Sequence, residues 1–112
     1  MNLPERRATV RLPCQTPLMF KVCKEDTLSK LMAGYTRDVS RDGLRCTLSQ
    51  RVPKGCTLWL RLDKDALATC EEIERNAVIL QHGILGKVMW VDKRNDNHYE
   101  VGLQFIIRET KS

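Results

Sequence analysis

The stretch Thr57-Leu58-Trp59-Leu60-Arg61-Leu62 places a leucine at every second position. Successive side chains of an extended strand point to opposite faces, so Leu58, Leu60 and Leu62 are predicted to share one face. Such alternation is typical of a strand that packs one face on a hydrophobic core. The stretch therefore predicts a half-buried β-strand.

Comparable short stretches recur along the chain, separated by Gly, Pro, Asn and Asp. The last one would place Tyr99, Val101, Leu103 and Phe105 on a single face. Further strands are predicted at residues 17–23, 35–38, 44–48, 77–80 and 84–91. This pattern predicts an all-β protein with little helix, folded as a small six- to seven-stranded antiparallel β-barrel. Barrel closure would remove unpaired strand edges.

Three connecting segments are less regular. Residues 24–34 suggest a polar connection with one short helical turn that ends at Gly34. Residues 63–76 contain helix formers with a weak apolar stripe, which fits either a short helix or a mobile excursion. Residues 92–97 suggest a polar link rich in turns.

The two tryptophans are assigned by strand alternation. Trp90 would share its face with Val88, which predicts a core position. Trp59 lies opposite Leu58 in the alternation and is predicted on the outer face, where it could contact a partner.

Length and charge limit the class of protein. The 112 residues suit one domain, with residues 1–12 as a flexible basic N-terminal arm and residues 13–107 as the barrel. The net charge is +5, and Arg6, Arg7 and Arg11 concentrate positive charge on the arm. A basic balance favours anions without choosing among them. No apolar signal core and no membrane span is apparent, so a cytoplasmic location is predicted.

Metal and catalytic sites are not indicated. The five cysteines form no Cys-x-x-Cys pair, and His82 and His98 are far from any cysteine pair. The cysteines are expected to behave as small apolar residues in a reducing compartment. No nucleophile–base pair or paired-carboxylate pattern is present either, so no catalytic residue and no enzymatic activity are predicted.

Two short motifs carry chemistry suited to a guanine nucleotide. Arg7-Ala8-Thr9-Val10-Arg11 supplies two guanidinium groups, and Asp38-Val39-Ser40-Arg41-Asp42-Gly43 supplies a carboxylate, a hydroxyl and a glycine. Guanidinium groups suit phosphate and the O6/N7 edge of guanine, and a carboxylate accepts from guanine N–H groups. Alternatively, the first motif is a solvated basic arm. The second would then be a turn closed by local backbone hydrogen bonds, with positive φ at Gly43.

The order of these motifs resembles that of the PilZ domain family, small bacterial β-barrels that act as receptors for cyclic di-GMP. Gly86-Lys87-Val88-Met89-Trp90 and Val101-Gly102-Leu103-Gln104-Phe105 complete the resemblance late in the chain. The resemblance covers nearly all of the sequence. It implies no cofactor, and cyclic di-GMP would be the ligand.

The resemblance also implies a role for each motif residue. Arg7 and Arg11 would clamp the ligand's phosphates and the Hoogsteen edges of its guanines. Asp38 and Ser40 would reach guanine from the barrel surface, and Gly43 would let the turn pass close to the ligand. Arg6, directly before the arginine motif, implies a stacked pair of ligands, hence two per protomer.

The function implied is a non-enzymatic cyclic di-GMP receptor that signals through an unidentified effector protein in motility, biofilm or virulence control. One alternative is a ligand-independent adaptor that binds a protein through Trp59 or the final strands. A nucleic-acid-binding barrel is less favoured, because aromatic residues make up only 5% of the chain. The oligomeric state, including a homodimer, is left open.

Overall fold

The computed structural model describes residues 10–24 and 29–108. In chain order these contain β1 (Leu12–Pro13), β2 (Pro17–Cys23), β3 (Met32–Val39), β4 (Gly43–Leu48), β5 (Thr57–Leu62), α1 (Lys64–Thr69), α2 (Glu72–Asn76), β6 (Ile79–Leu80), β7 (Gly83–Asn95) and β8 (His98–Phe105). No helix in these two ranges is long and apolar enough to cross a bilayer.

Six of the strands form a closed antiparallel barrel. Their order is β3-β2-β5-β7-β8-β4, and β4 pairs again with β3 to complete the circle. The two-residue strands β1 and β6 add to the outside of this circle, on β3 and β7 respectively. The prediction of an all-β protein with a small antiparallel barrel and little helix is confirmed.

The barrel interior holds one hydrophobic core. Leu58 and Leu60 of β5 are fully buried and lie opposite Val22 and Phe20 of β2, as the alternation predicts. Burying a large aliphatic or aromatic side chain contributes roughly 1.5–3 kcal/mol, so the inward faces supply most of the stabilisation. The other fully buried large side chains are Phe20, Leu18, Leu44, Leu48, Ile73, Val39, Val52, Val88, Val101 and Thr36.

Residues 63–76 form two short helices between β5 and β6. Asp63 caps α1, where its Oδ2 accepts the Asp65 backbone N–H at 3.1 Å. Ala66 of α1 and Ile73 of α2 are fully buried and join the core. Of the two alternatives for residues 63–76, a short helix or a mobile excursion, the structure therefore favours the helical one.

Two predicted connections differ from the structure. β3 already begins at Met32, and Gly34 lies opposite both Leu18 and Leu48, so strand pairing on two sides overrides the local helical signal. Residues 25–28 of that connection lie outside the described residues. β7 continues to Asn95 and leaves only a two-residue turn before β8, so the predicted link at residues 92–97 is wrong.

The predicted core position of Trp90 is also wrong. Val88 lies opposite Leu103, but Trp90 lies opposite Gly102, so a β-bulge inserts one extra residue into β7 between them. The bulge reverses the alternation and turns Trp90 to the outside, where 38% of the residue is exposed.

Trp59 is on the outer side of β5 but is almost completely covered. Its indole Nε1 donates to the Leu80 carbonyl at 2.7 Å, and only 4% of the residue is exposed. The Lys21 ammonium nitrogen and the Arg61 guanidinium carbon lie over the ring, 5.5 and 5.3 Å from its centroid. Trp59 therefore fastens β6 to the barrel and presents little surface to a partner.

The N-terminal end of the described chain contacts the barrel. Leu12 and Pro13 of β1 lie opposite Val39 and Asp38, so strand pairing already begins at Leu12. Residues 1–9 of the predicted arm lie outside the described residues.

Candidate ligand-binding site

Asp38 is placed on the outer wall of the barrel by a bulge in β3. Thr36 lies opposite Cys46 and Asp38 lies opposite Arg45, so Arg37 is the extra residue between them. The Asp38 residue is only 6% exposed. A carboxylate taken this far from water needs ionic or hydrogen-bonding partners.

Two arginines supply those partners. Arg11 Nη1 donates to Asp38 Oδ1 at 2.9 Å. Arg45 donates to Asp38 Oδ2 from both Nε, at 2.9 Å, and Nη2, at 2.6 Å. Arg11 comes from the segment before β1, and Arg45 comes from β4, so the carboxylate joins the N-terminal segment to the barrel wall.

Ser40 organises the turn that follows β3. Its Oγ accepts the backbone N–H groups of Asp42 and Gly43 at 3.3 and 3.2 Å, and it lies 3.2 Å from the Gly43 carbonyl. The Ser40 N–H also donates to the Gly43 carbonyl at 2.8 Å. Hydrogen bonds of both the Ser40 side chain and its backbone N–H therefore close the turn. Only 3% of Ser40 is exposed.

Gly43 brings β4 unusually close to β8. A Cβ atom added there would collide with the Leu103 carbonyl oxygen, so no other residue fits without moving one strand. Positive φ is found at Gln81, His82 and Gly55 among the described residues and not at Gly43. The glycine is thus required by close packing of the strands, a role that local turn geometry did not suggest.

A groove of about 330 Å³ opens beside this turn. It combines a guanidinium, a hydroxyl, a carboxylate, an amide and the exposed indole of Trp90. Its lining residues are Arg11, Ser40, Asp42, Gly43, Met89, Trp90, Gly102, Leu103 and Gln104.

A second groove, of about 440 Å³, is also lined by Arg11. Three arginines face it around one carboxylate, which makes it strongly cationic. Its lining residues are Arg11, Pro13, Cys14, Gln15, Arg37, Asp38 and Arg45. Arg11 is the one residue common to the two linings.

A second ion network extends the polar wall toward the β7–β8 hairpin. Glu100 of β8 accepts from Arg37 at 3.1 Å and from Arg94 at 3.0 Å. The Arg94 hydrogen bond is the main reason that the pKa of Glu100 is lowered; burial opposes it, and the charges of Arg94, Arg37 and Arg45 add to the lowering. Each buried carboxylate of this wall is therefore held by two arginines.

Together these groups can recognise a flat, anionic, hydrogen-bonding ligand. An indole face suits stacking of a base, which contributes about 1–3 kcal/mol per base. Guanidinium groups suit phosphate oxygens and purine edges, and a carboxylate suits base N–H groups. A purine nucleotide combines these features.

The structure brings together four of the six residues predicted to bind ligand. Arg11, Asp38, Ser40 and Gly43 lie around the two grooves. Arg6 and Arg7 lie outside the described residues, so their predicted role is not addressed by this geometry.

Sequence reasoning missed Arg45 and misplaced Trp90. The alternation of Leu44, Arg45 and Cys46 could have placed Arg45 on the outer face. Its pairing with Asp38 depends on the β3 bulge, for which the sequence offers no clear signal.

The fold is a small closed β-barrel with two polar grooves on its outer wall. The PilZ domain model matches residues 5–111, and the chain belongs to this family. PilZ domains are a family of cyclic di-GMP receptors, generally without enzymatic activity. A comparison with curated proteins found no match.

Proposed function

We propose that this chain is a cytoplasmic, non-enzymatic receptor that binds cyclic di-GMP at the groove beside Ser40 and signals through an effector protein. The observation that carries the proposal is the convergence of Arg11, Ser40 and Gly43 on one groove. Asp38, which lines the second groove, is 2.9 Å from Arg11. Motility, biofilm and virulence control are the outputs that family membership suggests.

The proposed binding mode assigns each ligand group a matching side chain. One guanine stacks on the exposed indole of Trp90, and Arg11 contacts a phosphate or the O6/N7 edge. The Asp38 carboxylate accepts from the N–H groups on the Watson–Crick edge of guanine. Arg7 completes the arginine pair from the segment outside the described residues.

Binding requires an exchange of partners, because Arg11 already holds Asp38. Guanine N–H groups replace Arg11 at the carboxylate, and Arg11 turns to the ligand. Since Arg11 precedes β1 and its side chain is 55% exposed, its segment is free to follow the ligand more easily than the barrel strands are. The proposed conformational change is therefore a repositioning of the N-terminal segment, which an effector protein reads.

The proposed stoichiometry is two stacked ligands per protomer, from the arginine at position 6. Arg6→Leu should lower the ligand count without abolishing binding. The measurement is the molar ratio at saturation in calorimetry, and an unchanged ratio would remove this part of the proposal. Size-exclusion chromatography with light scattering, with and without ligand, decides whether a homodimer forms.

Calorimetric titration with cyclic di-GMP tests the receptor proposal. Arg7→Ala, Arg11→Ala and Asp38→Ala should each weaken binding at least about tenfold, since each bidentate arginine–guanine contact is worth about 1–3 kcal/mol. Lys54→Ala, in an exposed turn that lines neither groove, is the matched control and should bind as the wild type does. A folded wild-type protein that gives no binding signal would contradict the proposal.

The adaptor alternative loses one of its two contact sites. Trp59 is 4% exposed and hydrogen-bonded to Leu80, so it offers no aromatic surface for docking. Cyclic di-GMP reception is the function that the outer-wall geometry favours.

A further inference from the structure

We propose that Arg45 is the residue that positions Asp38 for base recognition, an inference that rests on the proposed function. The role differs from that of Arg11. Arg11 exchanges between the protein and the ligand, whereas Arg45 stays on Asp38 Oδ2 in both states and keeps Oδ1 directed toward the base.

The hydrogen bonds distinguish the two arginines. Arg45 approaches Asp38 Oδ2 with two N–H groups, at 2.9 and 2.6 Å. Arg11 approaches Oδ1 with one, at 2.9 Å. Both of the charge-assisted bonds from Arg45 converge on one oxygen, so they hold Oδ2 in place more firmly than a single donor would. Oδ1 is then left as the oxygen that can change partners.

The backbone gives Arg45 a fixed position. Its residue pairs with Asp38 on β3 and with Gly102 on β8, so β4 is held on both sides at this point. Arg11 lies before β1, a strand of only two residues. Because Arg45 belongs to the closed wall, it can keep the same geometry while the N-terminal segment moves.

The burial of Asp38 makes such a partner necessary. When Arg11 leaves for the ligand, a carboxylate at 6% exposure would keep only neutral donors unless a second cation remained. Arg45 is the cation that remains. Its own side chain is 41% exposed and faces the second groove, so direct contact with a ligand phosphate is the competing role that the experiment must separate.

The first measurement needs no ligand. Urea unfolding of wild type, Asp38→Asn, Arg45→Gln and the double variant forms a double-mutant cycle. Arg45→Gln should lower the urea midpoint in the wild-type background and change it little in the Asp38→Asn background. Equal shifts in both backgrounds would mean that Arg45 does not hold Asp38, which overturns the inference.

The second measurement compares cyclic di-GMP with cyclic di-IMP, whose hypoxanthine bases lack the exocyclic amino group. Wild type should prefer the guanine ligand at least about tenfold, the range expected for a lost hydrogen bond to a charged group. Arg45→Gln should reduce that preference to about threefold or less, because a freely turning carboxylate no longer distinguishes the two bases. Arg45→Lys should retain affinity better than Arg45→Gln but should not restore the preference, since an ammonium lacks the planar pair of donors.

The Asp38→Ala background separates positioning from phosphate contact. Arg45→Gln should have no further effect on cyclic di-GMP affinity in that background. A loss of equal size with and without Asp38, or an unchanged base preference in Arg45→Gln, would show that Arg45 acts elsewhere. Arg94→Gln, which removes an arginine from Glu100 on the same wall, is the matched control and should keep the wild-type preference.

These results also distinguish this inference from the proposed function. If wild type binds cyclic di-GMP and Arg45→Gln matches it in affinity and preference, the inference alone fails. If wild type binds no cyclic di-GMP, the proposed function fails and the ligand role of Arg45 fails with it.

Discussion

The indole of Trp90 lies across Gly102, the residue directly opposite it on β8. A Cβ atom at position 102 would collide with Nε1 and Cε2 of the ring. Both residues line the groove beside Ser40. The glycine thus leaves room for the indole on the barrel wall, where the ring lines the groove.

Gly102→Ala should displace Trp90 and weaken cyclic di-GMP binding. The added methyl group occupies the position of the indole, so the ring must leave the wall and its stacking surface. We expect affinity to fall about three- to tenfold. This loss is near the lower end of the about 1–3 kcal/mol that one base–aromatic stack contributes. Calorimetry gives the affinity, and the Trp90 indole N–H signal in NMR should shift.

Gly86→Ala is the control for this effect. A Cβ atom there meets Leu60 Cδ1 at 3.4 Å, which is an ordinary contact, and Gly86 does not line the groove. It should bind ligand like the wild type. Binding that is equally weakened in both variants would point to a general loss of barrel order.

Gly43→Ala should destabilise the ligand-free protein. Its Cβ would press on the Leu103 carbonyl, a backbone atom that cannot turn aside. Overpacking of this kind costs about 1–3 kcal/mol in the free energy of unfolding. Urea unfolding provides the measurement, and Lys54→Ala should stay within about 0.5 kcal/mol of the wild type. A Gly43→Ala protein as stable as the wild type would disprove this packing role.

Glu100 should make the protein more stable above its pKa than below it. Its pKa is lowered in the folded protein, chiefly by the Arg94 hydrogen bond. A lowered folded pKa means that the stabilisation is fully present above the unfolded glutamate pKa, about 4.3. It is lost as pH falls below that value and through the folded one.

The measurement is the free energy of unfolding between neutral and acidic pH. Glu100→Gln should show a smaller loss across the acidic range than the wild type. Asp96→Asn serves as the control, because the Asp96 side chain is 98% exposed and should leave the pH profile unchanged. Superimposable profiles for wild type and Glu100→Gln would be inconsistent with the lowered pKa.

The cysteines should differ in reactivity toward a thiol reagent. Burial raises the pKa of Cys46 to about 12, and the residue has no exposed surface. Cys23 and Cys56 are only partly buried. Because the thiolate is the reactive form, native alkylation at pH 8 should label Cys23 and Cys56 first and Cys46 last. Peptide mass spectrometry identifies the order, and early modification of Cys46 would contradict it.

The strands were predictable where alternation is regular. β2 and β5 have the predicted bounds because their leucines, Phe20 and Val22 all face one core. The motif residues Asp38, Ser40 and Gly43 also come together as expected around the end of β3, since they are close in sequence. Local pattern and tertiary structure agree in these places.

The errors arise where contacts distant in sequence decide the structure. Gly34 continues a strand because it is paired on both sides, and Trp90 faces outward because one residue bulges from β7. The pairing of Arg45 with Asp38 likewise depends on register across two strands. A single sequence contains periodicity but only weak information about bulges, so these relationships required the structure.

The bulge in β7 gives the strand one point at which its length can change. Removing Met89, the extra residue, would leave Trp90 directly after Val88, so the indole would still point outward opposite Gly102 and Val91 would still lie opposite Val101. A deletion away from the bulge would instead shift the register by one residue and turn inward side chains to the outside. The strand should therefore tolerate shortening at Met89 better than at its regularly paired positions.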